Sequence, residues 1–161
     1  MELLSGVFSA FGLSASAGLN AYIPLLIVSL LAKFTDLINL KAPWDTLTSW
    51  WVIGAIVVLG TVEFFADKAP AVNHVNDIIQ SFIRPAAGAV VFAANADVLT
   101  DISPILSIIA GLLVAGSVHT VKSVAVRPAL TATTAGAANT PVSIAEDVIS
   151  TFLSILAVLI P

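Results

Sequence analysis

The sequence predicts an all-α integral membrane protein, and three observations predict it. Hydrophobic residues make up 58% of the chain and charged residues only 10%, against about 25% charged in soluble domains. Mean hydropathy is +1.05. Apolar runs long enough to cross a bilayer, which takes about 20 helical residues, recur from end to end. A single transmembrane domain over 1–161 is expected, with roughly five to six membrane segments, some broken or re-entrant, and a suggested internal two-fold repeat. The segments fall at 3–32, 50–66, 72–95, 104–121, 122–140 (re-entrant or loop) and 142–160.

The first run, 3–32, would extend about 45 Å as one helix, against a hydrocarbon core of about 30 Å. It is therefore expected to break, and Gly12, Gly18 and Pro24 offer places. Ser5, Ser9, Gly12, Ser16 and Asn20 recur at helical spacing. Such a small, polar stripe suits a close helix–helix contact, with a pore lining as the alternative. No cleavable signal is expected, because Met1-Glu2 lacks a positively charged start.

Lys33 to Ser49 is polar and ends in Trp50-Trp51, an aqueous loop or surface helix meeting an aromatic belt. The span from Trp50 to Ala66 carries Glu63 in its last turn, with Asp67 and Lys68 just beyond, and Ala69-Pro70 ends it. From Val72 to Arg84 the pattern turns amphipathic. His74, Asp77, Ser81 and Arg84 share one face, opposite Val75, Ile78, Ile79, Phe82 and Ile83. Arg84-Pro85 is expected to interrupt this helix before the apolar AAGAVVFAAN completes the crossing. Asn95 to Ser103, with Asp97 and Asp101, reads as a solvated connection, and Pro104 as the start of a helix running to His119. Lys122 and Arg127-Pro128 follow. TATTAGAANT (131–140) is too polar to face lipid. Pro141 starts the last helix, where Ser143, Glu146 or Asp147, Ser150, Thr151 and Ser154 line one face.

LGTVEFF (59–65) is similar to AGSVHTV (115–121), and NDIIQSFI (76–83) to EDVISTFL (146–153). These pairs suggest two related halves, as in transporters whose broken helices meet at the midplane. Counting positive loops assigns Lys68, Lys122 and Arg127 to the cytoplasmic side, against Lys33 and Lys41.

The ordered set GLNAYIPLL (18–26), EFFADKAP (63–70), IRPAAGA (83–89), HTVKSVAVRP (119–128) and SIAEDVI (143–149) resembles a widespread family of small polytopic bacterial membrane proteins catalogued only as a domain of unknown function. The resemblance implies a multi-pass protein of the bacterial inner (cytoplasmic) membrane. It marks Glu63, Asp67, Lys68, Arg84, His119, Lys122, Arg127, Glu146 and Asp147 as motif positions. It implies no activity.

With Asp77 added, the candidate site holds five acids and four bases, plus His119. A near-balance is what a buried ion-pair network needs, since uncompensated ions at membrane depth are costly. Pairs that merely lock helices together are one reading. A shared hydrated cavity is the other, with Glu63 and Glu146 as proton or cation sites and Arg84, Lys122 and Arg127 receiving an anionic group. Helix starts at Pro85, Pro128 and Pro141 would add positive dipole ends and tilt the site toward an anion.

Other chemistries find less support. His74 with Asp77, or His119 with Glu63, lacks ligand-spaced companions for a metal. No GxSxG elbow, Walker loop or dinucleotide fingerprint is present. The absence of cysteine excludes disulfide, thiolate and iron–sulfur chemistry, and a net charge of −4 gives no surface for nucleic acid. The expectation is a non-enzymatic channel or secondary transporter for a small, anionic-leaning solute, without cofactor. The lipid bilayer is its surrounding and other copies of the chain its partners, because the Gly/Ala-rich faces at 86–94 and 110–117 suit subunit packing. The alternative is a non-catalytic accessory or assembly subunit of a larger membrane complex.

Overall fold

A computed structural model describes residues 2–99 and 103–160, without the side chains of 2–5, 70, 71, 73, 74 and 97–99. Asp101 and the side chains of Ser5, His74 and Asp97, singled out above, lie outside the described residues. The chain is an all-α membrane protein. Its helices are α1 (Glu2–Leu19), α2 (Tyr22–Phe34), α3 (Trp50–Lys68), α4 (Pro70–Leu99), α5 (Pro104–Thr120), α6 (Arg127–Thr134) and α7 (Asn139–Leu159). A π-helical stretch, Val121–Val126, joins α5 to α6 without a break, and a short 3₁₀ helix, Trp44–Thr48, precedes α3. Four stretches among the described residues are long and apolar enough to cross a membrane: Trp50–Lys68, Val75–Ala96, Pro104–Thr134 and Asn139–Leu159.

α1 is the central element. Gly12 meets Ala157 on α7, and Ser16 Oγ lies 2.7 Å from Ser150 Oγ and 2.6 Å from Ser154 Oγ. Ser14 donates to the Gly111 carbonyl of α5 at 2.7 Å. The small, polar stripe is thus a helix–helix seam. In a membrane interior such close approach and hydroxyl bonding replace the hydrophobic drive that water would supply. α1 and α5 run parallel, as Ser14–Gly111 and Gly18–Ala115 require, while α4 and α7 run antiparallel to α1, as Asn95–Gly6 with Arg84–Gly18 and Gly12–Ala157 with Asn20–Asp147 require.

Three expectations are corrected. Pro85 does not interrupt α4: the helix continues through it from Pro70 to Leu99, and the backbone freed by a proline can be tolerated when neighbours pack close. The faces at 86–94 and 110–117 pack on each other inside the chain. A Cβ on Gly88 would lie 2.2 Å from Ala115 Cβ, and one on Gly111 would lie 2.4 Å from the Gly88 carbonyl oxygen. That surface is therefore not open for subunit packing. Nor does Pro128 head a half-helix, since it sits in a continuous helical run; Pro141, by contrast, lies in the first turn of α7, as expected.

The segment 122–140 is helical to Thr134 and turns back at Ala135 and Gly136, whose φ values are 50° and 86°. The real break in the first run is at Asn20-Ala21. Asn20 Oδ1 accepts from the Tyr22 and Ile23 amides at 3.0 and 3.2 Å, capping α2. Pro24 then falls in the first turn of α2, where a missing N–H costs nothing. α2 returns to the end that holds the aromatic belt, where Lys33 sits 4.5 Å over the Trp50 ring and donates to the Thr48 carbonyl at 2.7 Å. Ser49 accepts from the Val52 amide at 3.4 Å to start α3.

Candidate functional site

The charged residues gather at the opposite end of the bundle from the tryptophans and reach inward from it. Glu63 follows Trp50 by 13 positions along α3, about 20 Å at 1.5 Å per residue and well inside a core of about 30 Å. Ala69, held extended by the proline that follows, turns α3 sharply into α4. The tight link sets Glu63 and Asp67 against the first half of α4.

The π-helical stretch positions the other side. In a regular α-helix the five residues from Lys122 to Arg127 would overshoot one turn by about 140°. Wider i→i+5 winding brings that interval back toward a full turn. His119, Lys122 and Arg127 are consequently all buried on one face. Nothing in the residue pattern announces this winding.

Glu63 and Arg84 pair at 2.8 Å, each side chain 1% exposed. Arg84 also reaches the Gly18 carbonyl and His119 Nδ1, both at 3.5 Å. Ser81 spends its hydroxyl proton on the Asp77 carbonyl at 2.8 Å, so its contact with His119 Nε2 at 3.1 Å has the imidazole donating. His119 is therefore held as the Nε2–H tautomer with Nδ1 facing Arg84.

Arg127 bridges two helices, closely paired with Asp67 on α3 and 3.0 Å from Asp77 on α4. Asp67 also accepts from Ser143 Oγ on α7. Lys122 pairs with Glu146 at 2.6 Å, lies 4.0 Å from Asp67 and donates to the Leu19 carbonyl at 3.2 Å. Lys68 pairs with Asp147 at 2.6 Å and stands 3.5 Å over the Phe64 ring. Asn20 Nδ2 donates to the other Asp147 oxygen at 2.9 Å.

The ten sequence-predicted positions fall into three neighbouring groups, Glu63–Arg84 with His119, Asp67–Asp77–Lys122–Arg127–Glu146, and Lys68–Asp147, between 1% and 20% exposed where they form ion pairs. The bases answer acids rather than an open cavity. Arg84 and Lys122 in addition donate to the free Gly18 and Leu19 carbonyls at the C-terminus of α1, where the helix dipole is negative. The broken helix α1–α2 ends in the network.

Sequence reasoning missed four contributors. Asn20 was read as part of a packing stripe and is also a cap and an Asp147 partner. Tyr22, Asn76 and Gln80 are buried among the charges. Asn76, Gln80 and Arg84 follow one another at four-residue spacing, a signal that is legible in NDIIQSFIR once neutral amides are counted with the charges. Four buried polar atoms here have neither a hydrogen bond nor an ion pair among the described residues: Glu63 Oε2, Asn76 Nδ2, Gln80 Oε1 and Arg84 Nε; Asp77 Oδ1 and Glu146 Oε2 are answered by ion pairs alone. A groove of about 440 Å³ between α2, α3 and α7 reaches Asn20 and Asp147 from the lipid side.

Residues 7–161 match a family described as a domain of unknown function (DUF4126), and the chain belongs to that family. No curated protein and no solved structure matches it.

Proposed function

We propose that the protein is a small channel or secondary transporter in the inner membrane of a bacterium, not an enzyme, and that the Glu63–Arg84 region is where it handles its solute. The observation that carries this reading is the break between α1 and α2, set among buried charges of which several polar atoms lack partners among the described residues. Purely structural ion pairs at membrane depth are expected to satisfy every group, because each unsatisfied one is expensive in hydrocarbon. Broken helices with unwound backbone near the midplane are the recurrent device of secondary transporters.

The lean toward an anionic solute loses its support, since each base faces a carboxylate and no helix starts at Pro85. Five carboxylates against four bases leave one negative charge over, which suits a proton or a small cation. The chain works as a homo-oligomer in this reading, because four long spans enclose little space.

One observation favours the accessory-subunit reading: the Asp67–Arg127–Asp77 and Lys68–Asp147 pairs are well satisfied and tie α3, α4, α6 and α7 together. Flux across proteoliposomes of a panel of anions, cations and protons separates the two. Transport predicts a flux that Glu63→Gln abolishes in folded, inserted protein. Silence across the panel, with other subunits co-purifying, would overturn it.

A further inference from the structure

The two similar octets, NDIIQSFI on α4 and EDVISTFL on α7, present buried polar side chains at matching positions: Asn76, Gln80 and, one residue beyond the octet, Arg84 on one; Glu146, Ser150 and Ser154 on the other. The α7 stripe is closed. Ser16 bonds both serines, and Lys122 answers Glu146. The α4 stripe is not. Among the described residues, Asn76 Nδ2, Gln80 Oε1 and Arg84 Nε have no partner, nor has Glu63 Oε2 across the interface on α3. Tyr22 of α2 lies by Gln80 and in the field of Glu63.

These four atoms are two donors and two acceptors. An anion would answer only the donors and a metal cation only the acceptors. Water answers both, and water in single file along a helix face passes protons between its molecules. We propose that the α4 stripe is a proton path from Asn76 past Gln80 to Glu63, whose carboxyl takes up the proton at Oε2, so that the proton is the ion this network moves. The step balances simply: a hydronium gives its proton to the carboxylate and leaves water, and release reverses this. Uptake brings the five-acid, four-base network to neutrality. Arg84 of α4, Asp67 of α3, Lys122 of the π-helical stretch and Tyr22 of α2 face Glu63, His119 of α5 stands behind Arg84, and Glu146 and Asp147 of α7 are held by Lys122 and Lys68.

This inference rests on the transport reading, and two readouts separate their failures. The first is the infrared carbonyl band of a protonated carboxyl, titrated in lipid nanodiscs. The second is proton flux into liposomes loaded with a pH dye and clamped with potassium and valinomycin. Wild type should show a titrating band that Glu63→Gln removes. It should also show a proton flux that Glu63→Gln abolishes, that Gln80→Leu slows by about tenfold or more, a barrier change of at least one such step, and that Ser150→Ala leaves unchanged. A missing Glu63 band, a Gln80→Leu flux equal to wild type, or flux of another solute without proton flux would each overturn the proton path while sparing transport. A titrating Glu63 with no flux of any solute would overturn transport and the path together.

Discussion

The Glu63 carboxylate and the Arg84 guanidinium meet at 2.8 Å with each side chain 1% exposed, on two helices joined by a one-residue turn. Removing one partner of such a pair strands the other charge, at a cost of about 3–5 kcal/mol. The two removals are not equivalent here. Arg84→Gln leaves five acids with three bases, whereas Glu63→Gln leaves four of each and mimics a protonated carboxyl. Arg84→Gln should therefore lower unfolding stability in detergent by the full amount, Glu63→Gln by clearly less, and the double variant should recover much of the loss. Equal losses for the two single variants would contradict this.

Arg127 serves Asp67 and Asp77 together because its guanidinium is a fork, and a lysine ammonium cannot hold both geometries. Arg127→Lys should cost about 2 kcal/mol, the worth of one charged hydrogen bond, read from denaturant unfolding. Wild-type stability would show that the bridge contributes nothing.

The α4–α5 crossing rests on the absence of side chains. Gly88→Ala would drive its Cβ into Ala115 and the Gly111 carbonyl, at 2.2 and 2.9 Å. A backbone carbonyl cannot give way as a side chain can, so the loss should reach at least about 3 kcal/mol and be visible as reduced inserted yield. Gly54, with nothing within 4 Å of an added Cβ, is the control: Gly54→Ala should be neutral or gain up to about 1 kcal/mol from helix propensity.

Asn20 caps α2 with its oxygen and holds Asp147 with its nitrogen. Asn20→Ala should cost about 1 kcal/mol from the cap alone. Asn20→Asp keeps the cap but sets a second carboxylate against Asp147, so it should be the worse of the two at neutral pH and should recover as the pH falls. Comparing thermal midpoints of both variants across pH checks the order.

The membrane class, the seam along α1 and the identity of the charged positions were legible because each leaves a local mark: hydropathy, small residues at helical spacing, and ions where lipid forbids them. The location of the first break was not. Gly12, Gly18 and Pro24 are all plausible breakers, but the break belongs to Asn20, whose capping bonds exist only once the chain has turned. Pro85 misled for the opposite reason. Its local penalty is real, but packing at Gly88 and Gly111 carries the helix through it. The π-helical winding that aligns Arg127 with Lys122 answers to tertiary contacts with Asp67, Asp77 and Glu146, which no run of residues displays.

The central claim is that this charge network moves a solute and is more than a lock between helices. Its most direct test measures flux and folding in one preparation: currents on a solid-supported membrane after a pH or solute jump, with the thermal midpoint of the same Glu63→Gln protein. Glu63→Gln should stay folded, with a midpoint lowered by less than that of Arg84→Gln, and its current should be gone. A folded Glu63→Gln protein that carries the wild-type current would contradict it.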